Sequence, residues 1–129
     1  MSDRSKDVVS TRAPEPVGAF PHAKRVGDFL FLSGIGPRRR GTKEIPSTFE
    51  AQVLAVFENV RLVLEDAGAK WDDIVDVTVF LTDMTRDFPA FNRLWAEHFP
   101  SSPPARTTIE VGSLPTPIAV ELKVVATVG

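Results

Sequence analysis

The C-terminal stretch, residues 103–129, constrains the fold of this chain more strongly than any other. Its sequence predicts two strands joined by a connection that is rich in Gly, Ser and Pro. In the second strand the apolar residues recur at every other position, namely Ile118, Val120, Leu122 and Val124. A period of two is expected of a strand with one buried face. We therefore expect a sheet whose C-terminal strand packs on the core.

Each of these two strands also carries a charged residue at a position that an apolar residue could fill, Arg106 in the first and Glu121 in the second. A guanidinium presents a planar fork of donors that suits a substrate carboxylate. A glutamate in a partly apolar cleft can position or deprotonate a water molecule. The alternative is that both residues lie on a solvated sheet face, as most charged residues on strands do.

The composition narrows the class of protein. The net charge of −2 and the isoelectric point near 5.7 argue against a nucleic-acid binder. The chain has no cysteine, which excludes disulfides and thiolate chemistry, and no apolar run approaches the roughly 20 residues of a membrane span. The charged N-terminus does not resemble a signal peptide. We expect a cytoplasmic protein with a flexible arm (1–16) and a single domain (17–129).

The sequence of the first half of the chain predicts a hairpin followed by a basic loop. Gly27-Asp28 separates the segments 22–26 and 29–32, as expected of a short hairpin turn. The second segment ends at Ser33-Gly34, where the backbone can approach a ligand closely because glycine has no side chain. Residues 37–47 lack any periodicity and are predicted to form a loop. That loop carries three consecutive arginines, Arg38, Arg39 and Arg40.

Two amphipathic helices flank a further strand. The first helix is predicted to begin at the capping-box pair Ser47 and Glu50 and to end at Gly68. The strand covers 74–81, and the second helix covers 87–98, with its first residue as the N-cap. The order strand, strand, helix, strand, helix, strand, strand indicates an α+β domain with both helices on one face of the sheet.

The other face of this predicted sheet is too apolar for full exposure. The residues assigned to it are Phe31, Thr78, Phe80, Thr108, Ala119 and Val125. Small domains usually cover such a surface by association. We therefore expect an oligomer with a functional site where subunits meet.

Four sequence blocks from about Gly18 to the C-terminus together resemble the RidA family of reactive-intermediate (enamine/imine) deaminases. The blocks are GAFPHAKRVGDFLFLSG, FEAQVLAVFENVRLVLEDAGA with DDIVDVTVFLTDM, DFPAFNRLWAEHFP, and PPARTTIEV with IAVELKVVA. The resemblance implies a chorismate-mutase-like α+β fold, in which a mixed six-stranded sheet carries two helices on one face. It also implies a homotrimer with a central barrel, sites between subunits, and a last strand in the middle of the sheet.

The resemblance assigns roles to residues that match the family's motifs. It implies that Arg106 holds the substrate carboxylate and that Glu121 positions the hydrolytic water. Ser33 and Gly34 match the step that lines the pocket, and Asn92 matches an asparagine with a weaker claim to substrate contact. Hydrolysis of an imine needs a carboxylate anchor, a positioned water and a proton shuttle. We therefore expect a small-molecule carboxylate as the partner and no cofactor or metal.

Three positions depart from the family pattern. Phe20 stands where the family usually has a tyrosine, and Thr108 where many members have a cysteine. His22 replaces a glutamine and adds an imidazole that can titrate near neutral pH. We expect Phe20 and Thr108 to contact substrate. His22 is a candidate catalytic residue or substrate contact, whereas His98 is expected to be structural or exposed.

These departures resemble the 2-aminomuconate deaminase branch of the family, whose substrate carries a carboxylate at each end. Arg38, Arg39 or Arg40 could supply the second cation, although a basic loop is usually only solvated. The predicted function is hydrolysis of 2-aminomuconate to 4-oxalocrotonate (2-hydroxymuconate) and ammonia in aromatic-compound catabolism. The alternatives are a general 2-imino acid deaminase and a non-catalytic member that binds small molecules or RNA.

Overall fold

A computed structural model describes residues 5–128, which form one sheet and two helices packed on it. The strands are β1 (Ser5–Val8), β2 (Ala23–Val26), β3 (Phe29–Leu32), β4 (Ile74–Leu81), β5 (Ala105–Glu110) and β6 (Val120–Thr127). The helices are α1 (Phe49–Asp66) and α2 (Met84–His98), and a 3₁₀ turn covers Trp71–Asp73. The sheet order is β1-β2-β3-β6-β4-β5, with β4 and β5 parallel and the other pairs antiparallel. The predicted mixed six-stranded α+β fold is confirmed.

The core lies between the helices and one face of the sheet. Alternate residues of β6 are fully or almost fully buried: Val120, Leu122, Val124 and Ala126. They face the apolar sides of α1 and α2, where Phe57 and Phe91 pack edge to face. The predicted alternation of β6 is thus confirmed, although the strand begins and ends two residues later than expected. No helix within residues 5–128 is long and apolar enough to cross a membrane.

The last strand lies in the middle of the sheet, between β3 and β4, so β5 and β6 are not partners. β5 pairs with β4, which places Arg106 opposite Val77. β6 pairs with the other edge of β4, which places Glu121 opposite Phe80. This arrangement confirms the position of β6 that the family resemblance implies.

The N-terminal segment differs from the flexible arm that we expect for residues 1–16. Ser5–Val8 pairs antiparallel with β2 and supplies the sixth strand, which the hydrophobic pattern does not reveal. Beyond it, Ala13 is fully buried, and the Ser10 hydroxyl donates a hydrogen bond of 2.6 Å to Asp66 on α1. Main-chain pairing and these contacts hold the segment in place, although its polar composition predicts a flexible arm. Residues 1–4 lie outside the described residues.

The helix ends are partly as predicted. Helix α1 begins one residue later than the capping-box prediction, because Thr48 accepts the cap hydrogen bond from the Ala51 amide at 3.1 Å. The N-cap of helix α2 is Asp83, four residues before the predicted cap at Asp87. Asp87 is therefore not a cap but a buried residue inside the helix. Gly68, with φ of +86°, ends α1 as predicted.

The face of the sheet away from the helices is apolar, as expected, but two of its predicted members lie elsewhere. Thr108 pairs with the buried Val79 and therefore faces the helices, and Ala119 precedes β6. The prediction for Thr108 is wrong because β5 joins the sheet through β4 rather than through the last strand. Large hydrophobic residues remain exposed on the open face: Phe29, Phe31, Val75 and Ile109 are each at least 40% exposed.

Candidate active site

The first half of the candidate site surrounds Arg106 on the helix side of the sheet. The guanidinium carbon lies 5.7 Å, 5.3 Å and 5.1 Å from the ring centroids of Phe88, Phe91 and Trp95 on α2. Its Nη2 donates a hydrogen bond of 2.6 Å to Asn92 Oδ1. We call these five residues the Arg106 cage. The cage holds the arginine in one orientation through cation–π contacts and a single hydrogen bond.

The cage leaves Arg106 able to bind an anion. Burial lowers the pKa of its guanidinium from the usual value, and no charged neighbour contributes to that shift. Asn92, its hydrogen-bond partner, is neutral. Two residues along the same face of β5, Thr108 Oγ1 is buried and has no hydrogen-bond partner within residues 5–128. A desolvated guanidinium and an unused hydroxyl on one face suit a bound carboxylate.

The second half is a cleft that encloses about 60 Å³, enough for several water molecules. We call it the Glu121 cleft. It is lined by Pro14, Glu15, Pro16, Val17, Phe20, Pro21, His22, Ser33, Gly34, Ile35, Gly36, Arg38, Pro115, Thr116, Ile118 and Glu121. The structure therefore brings together six of the residues predicted from sequence: Phe20, His22, Ser33, Gly34, Arg38 and Glu121.

Glu121 stands in a setting that suits a general base. Burial raises the pKa of its carboxyl above the usual value. A carboxylate with a raised pKa accepts a proton from water more readily than an exposed one. Gly34 allows the close approach, because a Cβ there would lie 2.9 Å from Glu121 Oε1. The neighbouring Ser33 hydroxyl is already occupied, as it donates to the Pro21 carbonyl at 2.7 Å.

His22 lines the cleft, but both of its ring nitrogens are occupied. Nδ1 accepts the Ser10 amide hydrogen at 3.0 Å, and Nε2 lies 2.7 Å from the Pro14 carbonyl oxygen. A carbonyl oxygen only accepts, so Nε2 carries the proton and the ring is the neutral Nε2–H tautomer. The ring is also 96% buried. This geometry favours a structural role over the predicted catalytic one.

The three consecutive arginines occupy different surroundings. Arg38 lies in the wall of the cleft, where Nη1 donates to the Thr42 carbonyl at 2.9 Å and approaches Glu15 Oε1 at 3.4 Å. The Gly41 amide, with a smaller contribution from Arg38, lowers the pKa of Glu15 to about 2. Arg39 is exposed and lines neither half of the site.

Arg40 is bound elsewhere, because its Nη1 donates to the Ala13 carbonyl at 2.8 Å. Of the predicted cluster for a second carboxylate, the structure thus places only Arg38 at the cleft.

One copy of the chain keeps Arg106 and Glu121 apart. Arg106 faces the helices beside Val77, whereas Glu121 alternates with core residues of β6 and faces the open side beside Phe80. β4 lies between them, and their positions differ by three residues along it. Strand spacing and rise then place the two Cα atoms about 14 Å apart, on opposite faces. The two halves therefore do not form one site within a single copy.

Some residues of the site escape prediction from sequence. The aromatic residues of the Arg106 cage lie at helical spacing on α2, a pattern that predicts core packing rather than contact with Arg106. Lys123 does not line the cleft but lies two residues beyond Glu121 on the same face of β6, and its ammonium donates to the Leu32 carbonyl. Burial lowers the pKa of Lys123. The sequence signal for Lys123 is its position in the alternating pattern of β6, on the same face as Glu121.

The fold and the two half-sites define a small α+β protein with an anion-receptive arginine on one sheet face and a desolvated glutamate on the other. Residues 10–128 match the family described as endoribonuclease L-PSP. The chain belongs to this family, which includes the RutC and RidA (YjgF) proteins. The family inferred from the sequence blocks is confirmed.

Individual relatives match along almost the whole chain. A RutC family protein from Saccharolobus solfataricus is 39% identical over 123 residues, which is 94% of this chain and 97% of the relative. The 2-iminobutanoate/2-iminopropanoate deaminase of Dermatophagoides farinae is 37% identical over 92% of this chain and 93% of its own. The crystal structure of E. coli TdcF with bound serine superposes with a TM-score of 0.90 at 30% identity, covering 96% of this chain and 99% of that one. These names support the family and do not single out the 2-aminomuconate branch.

Proposed function

We propose that this protein hydrolyses 2-imino acids, and their enamine tautomers, to 2-oxo acids and ammonia. The observation that carries this proposal is the state of Arg106. Its guanidinium is partly desolvated, oriented by three aromatic rings, and bonded only to a neutral amide among the described residues. Such a group binds a carboxylate in a fixed orientation, which is the common feature of all 2-imino acids.

The reaction follows from an arginine that binds the carboxylate and a glutamate that activates water. Glu121 accepts a proton from water as the water oxygen forms a bond to the imine carbon. The π electrons of the C=N bond move to nitrogen, which takes up a proton from solvent, and a tetrahedral carbinolamine results. The C–N bond then breaks and the nitrogen leaves as ammonia after a second protonation. The hydroxyl group releases its proton to solvent, and its oxygen becomes the new carbonyl. The proton that Glu121 accepted returns to the departing nitrogen.

We place the site between copies of the chain, in a homotrimer whose open sheet faces form a central barrel. Two observations support this arrangement. Phe29, Phe31, Val75 and Ile109 form an exposed apolar face that association would cover. Arg106 and Glu121 lie on opposite sides of one sheet, so a second copy has to supply one of them.

Two relatives are named for small molecules with a carboxylate. One is a 2-iminobutanoate/2-iminopropanoate deaminase, and the other is a structure with bound serine. Both names agree with an arginine that receives the carboxylate of an amino-acid-sized ligand. We therefore propose short 2-imino acids, rather than longer compounds, as the preferred substrates.

The proposal is tested with freshly generated 2-iminobutanoate and 2-iminopropanoate, because these compounds also hydrolyse spontaneously. We expect the purified protein to accelerate ammonia release above the spontaneous rate, and the Glu121→Gln protein to lose most of that acceleration. An unchanged rate of ammonia release at saturating protein contradicts the proposal. Arg39→Gln serves as the matched control, because Arg39 is exposed and lies outside both half-sites.

A second candidate substrate is 2-aminomuconate, and the observation that favours it is the position of Arg38 in the wall of the Glu121 cleft. Three acceptor atoms, the carbonyl oxygens of Thr42 and Glu15 and the carboxylate of Glu15, already engage this guanidinium, so less of its charge is left for a second carboxylate. If 2-aminomuconate is the substrate, Arg38→Gln raises its KM and leaves turnover of 2-iminobutanoate almost unchanged. Equal losses for both substrates mean that Arg38 serves the structure of the cleft.

A further inference from the structure

One wall of the Glu121 cleft is not part of the sheet. Residues 10–17, which we call the strap, leave β1 and contribute Pro14, Glu15, Pro16 and Val17 to the cleft lining. Because the strap has no strand partner of its own, its position depends on the burial of Ala13 and on side-chain hydrogen bonds, which include those of Ser10 and Arg12 to Asp66. The shape of the cleft beside Glu121 therefore depends on whatever fixes the strap.

His22 binds the strap at two points. Its Nδ1 accepts the Ser10 amide hydrogen at 3.0 Å, and its Nε2–H donates to the Pro14 carbonyl at 2.7 Å. The ring thus spans the first turn of the strap and satisfies one buried donor and one acceptor. Arg40 contributes from the other side of the turn, with a bond of 2.8 Å to the Ala13 carbonyl.

The backbone of His22 is bound as firmly as its ring. The His22 amide donates to the Val8 carbonyl at 3.1 Å, and the His22 carbonyl accepts from the Ser33 amide at 2.9 Å. Ser33 precedes Gly34, whose backbone borders the carboxylate of Glu121. His22 therefore connects the strap to the segment that borders Glu121 through a short and continuous set of bonds.

We propose that His22 is a positioning residue that fixes the strap, and through it the substrate-facing wall of the Glu121 cleft. The residue acts through its acceptor and its donor and takes no part in proton transfer. This inference rests on the proposed function only where the test measures kcat and KM. A glutamine has the same two capacities, an acceptor oxygen and a donor nitrogen at the end of a side chain of similar reach. Phenylalanine has the ring and neither capacity.

The test compares His22→Gln with His22→Phe by amide hydrogen exchange and by steady-state kinetics. His98→Gln is the control, because His98 lies on α2 and outside the cleft. In His22→Phe we expect exchange of the Ser10 amide to quicken by roughly tenfold or more, since its bond to Nδ1 is lost, and the Arg12 and Ala13 amides, which donate to Ser10 Oγ, to exchange faster as the strap loosens. We expect KM to rise by roughly tenfold while kcat changes less than about threefold. His22→Gln restores protection and KM to near the original values.

Two results overturn the inference. If the strap amides of His22→Phe exchange as slowly as in the unaltered protein, His22 does not fix the strap. If His22→Gln keeps the strap protected but loses kcat as severely as His22→Phe, the imidazole takes part in the chemistry. Should His22→Phe not fold, His22→Asn replaces it, because its shorter side chain cannot bridge both partners. Hydrogen exchange is measured without substrate. It therefore still decides whether His22 fixes the strap if the protein proves not to be a deaminase.

Discussion

The Arg106 cage and the Glu121 cleft differ in how the chain builds them. The cage consists of side chains from one helix that pack over one residue of β5. The cleft is walled mainly by loops and by the strap, on the open side of the sheet. Burial lowers the pKa of Arg106 and raises the pKa of Glu121, so desolvation acts on both charges. In the proposed reaction the cage binds the substrate carboxylate, and the cleft positions and activates the water.

The comparison shows that neither half is a complete site. In the proposed reaction the cage supplies the group that binds the substrate carboxylate but no base, and the cleft supplies the base, while its own arginine, Arg38, is already engaged by Thr42 and Glu15. No change of side-chain rotamer brings them together, because β4 and its core residues separate the two faces. Substitutions of Arg106, Glu121 and Gly34 test this division of labour.

Removal of the cation is expected to have the largest effect. Arg106→Ala should reduce kcat/KM by a factor that corresponds to about 2–5 kcal/mol, because a buried charge-assisted pair with the substrate carboxylate is lost. Arg106→Lys keeps the charge but not the planar fork, and it should recover only part of the loss. The measurement is steady-state deamination, with circular dichroism and size-exclusion chromatography to verify fold and assembly. Near-normal kinetics in a folded Arg106→Ala protein would exclude the cage as the carboxylate site.

Glu121→Gln should lower kcat and leave KM almost unchanged. The amide keeps the shape of the side chain but cannot accept a proton from water, so we expect a loss of roughly 10²–10⁴-fold in kcat. The activity of the unaltered protein should fall as the pH decreases through the raised pKa of Glu121, and the residual activity of the variant should lack this limb. If only KM rises, Glu121 is a binding residue and the division of labour is wrong.

Gly34→Ala tests the close approach of backbone and carboxylate. The new Cβ would lie 2.9 Å from Glu121 Oε1, so the carboxylate must move by several tenths of an ångström. We expect kcat to fall by roughly tenfold, since the base is displaced from the reacting water. Gly112→Ala is the matched control, because a Cβ there meets no atom within 4 Å. Equal activity in the two variants would show that the cleft tolerates a displaced Glu121.

The smallest expected effect is on stability. Folding raises the pKa of Glu121, so the folded state favours the protonated form and is destabilised once the group ionises. Glu121→Gln should therefore melt higher than the unaltered protein at pH 7, by about 1–4 °C. The difference should vanish as the pH falls below the usual glutamate pKa. Thermal melts at both pH values provide the measurement, and a difference that does not change with pH contradicts the assigned burial.

The sequence predicts the elements of this fold well because their signals are local. The alternation of β6, the Gly27 turn and the glycine that ends α1 each depend on the conformation of a few neighbouring residues. The strand Ser5–Val8 has no such signal, since its polar residues are held by pairing with β2. The assignment of Thr108 to the wrong face has a related cause. The partner of β5 is chosen by the order of strands in the sheet, which no short window of sequence contains.

The candidate site could be predicted in its members but not in its geometry. Arg106 and Glu121 stand out because charge interrupts apolar strands, and the family resemblance supplies their roles. The sequence could not show that they face opposite sides, because this depends on the register of both strands against β4. Nor could it show that His22 has both ring nitrogens bound, since its partners lie 12 and 8 residues away along the chain.

In the arrangement proposed above, each site takes Arg106 from one copy and Glu121 from another. To test it, equal amounts of Arg106→Ala and Glu121→Ala chains are mixed, unfolded together and refolded as random trimers. A site is complete only when an intact Arg106 meets an intact Glu121 of its neighbour. Random assembly then predicts roughly one quarter of the activity of the unaltered protein, from two parents that are each inactive. Absence of activity in a verified mixture of trimers would contradict the claim, because it would mean that both residues must come from the same copy.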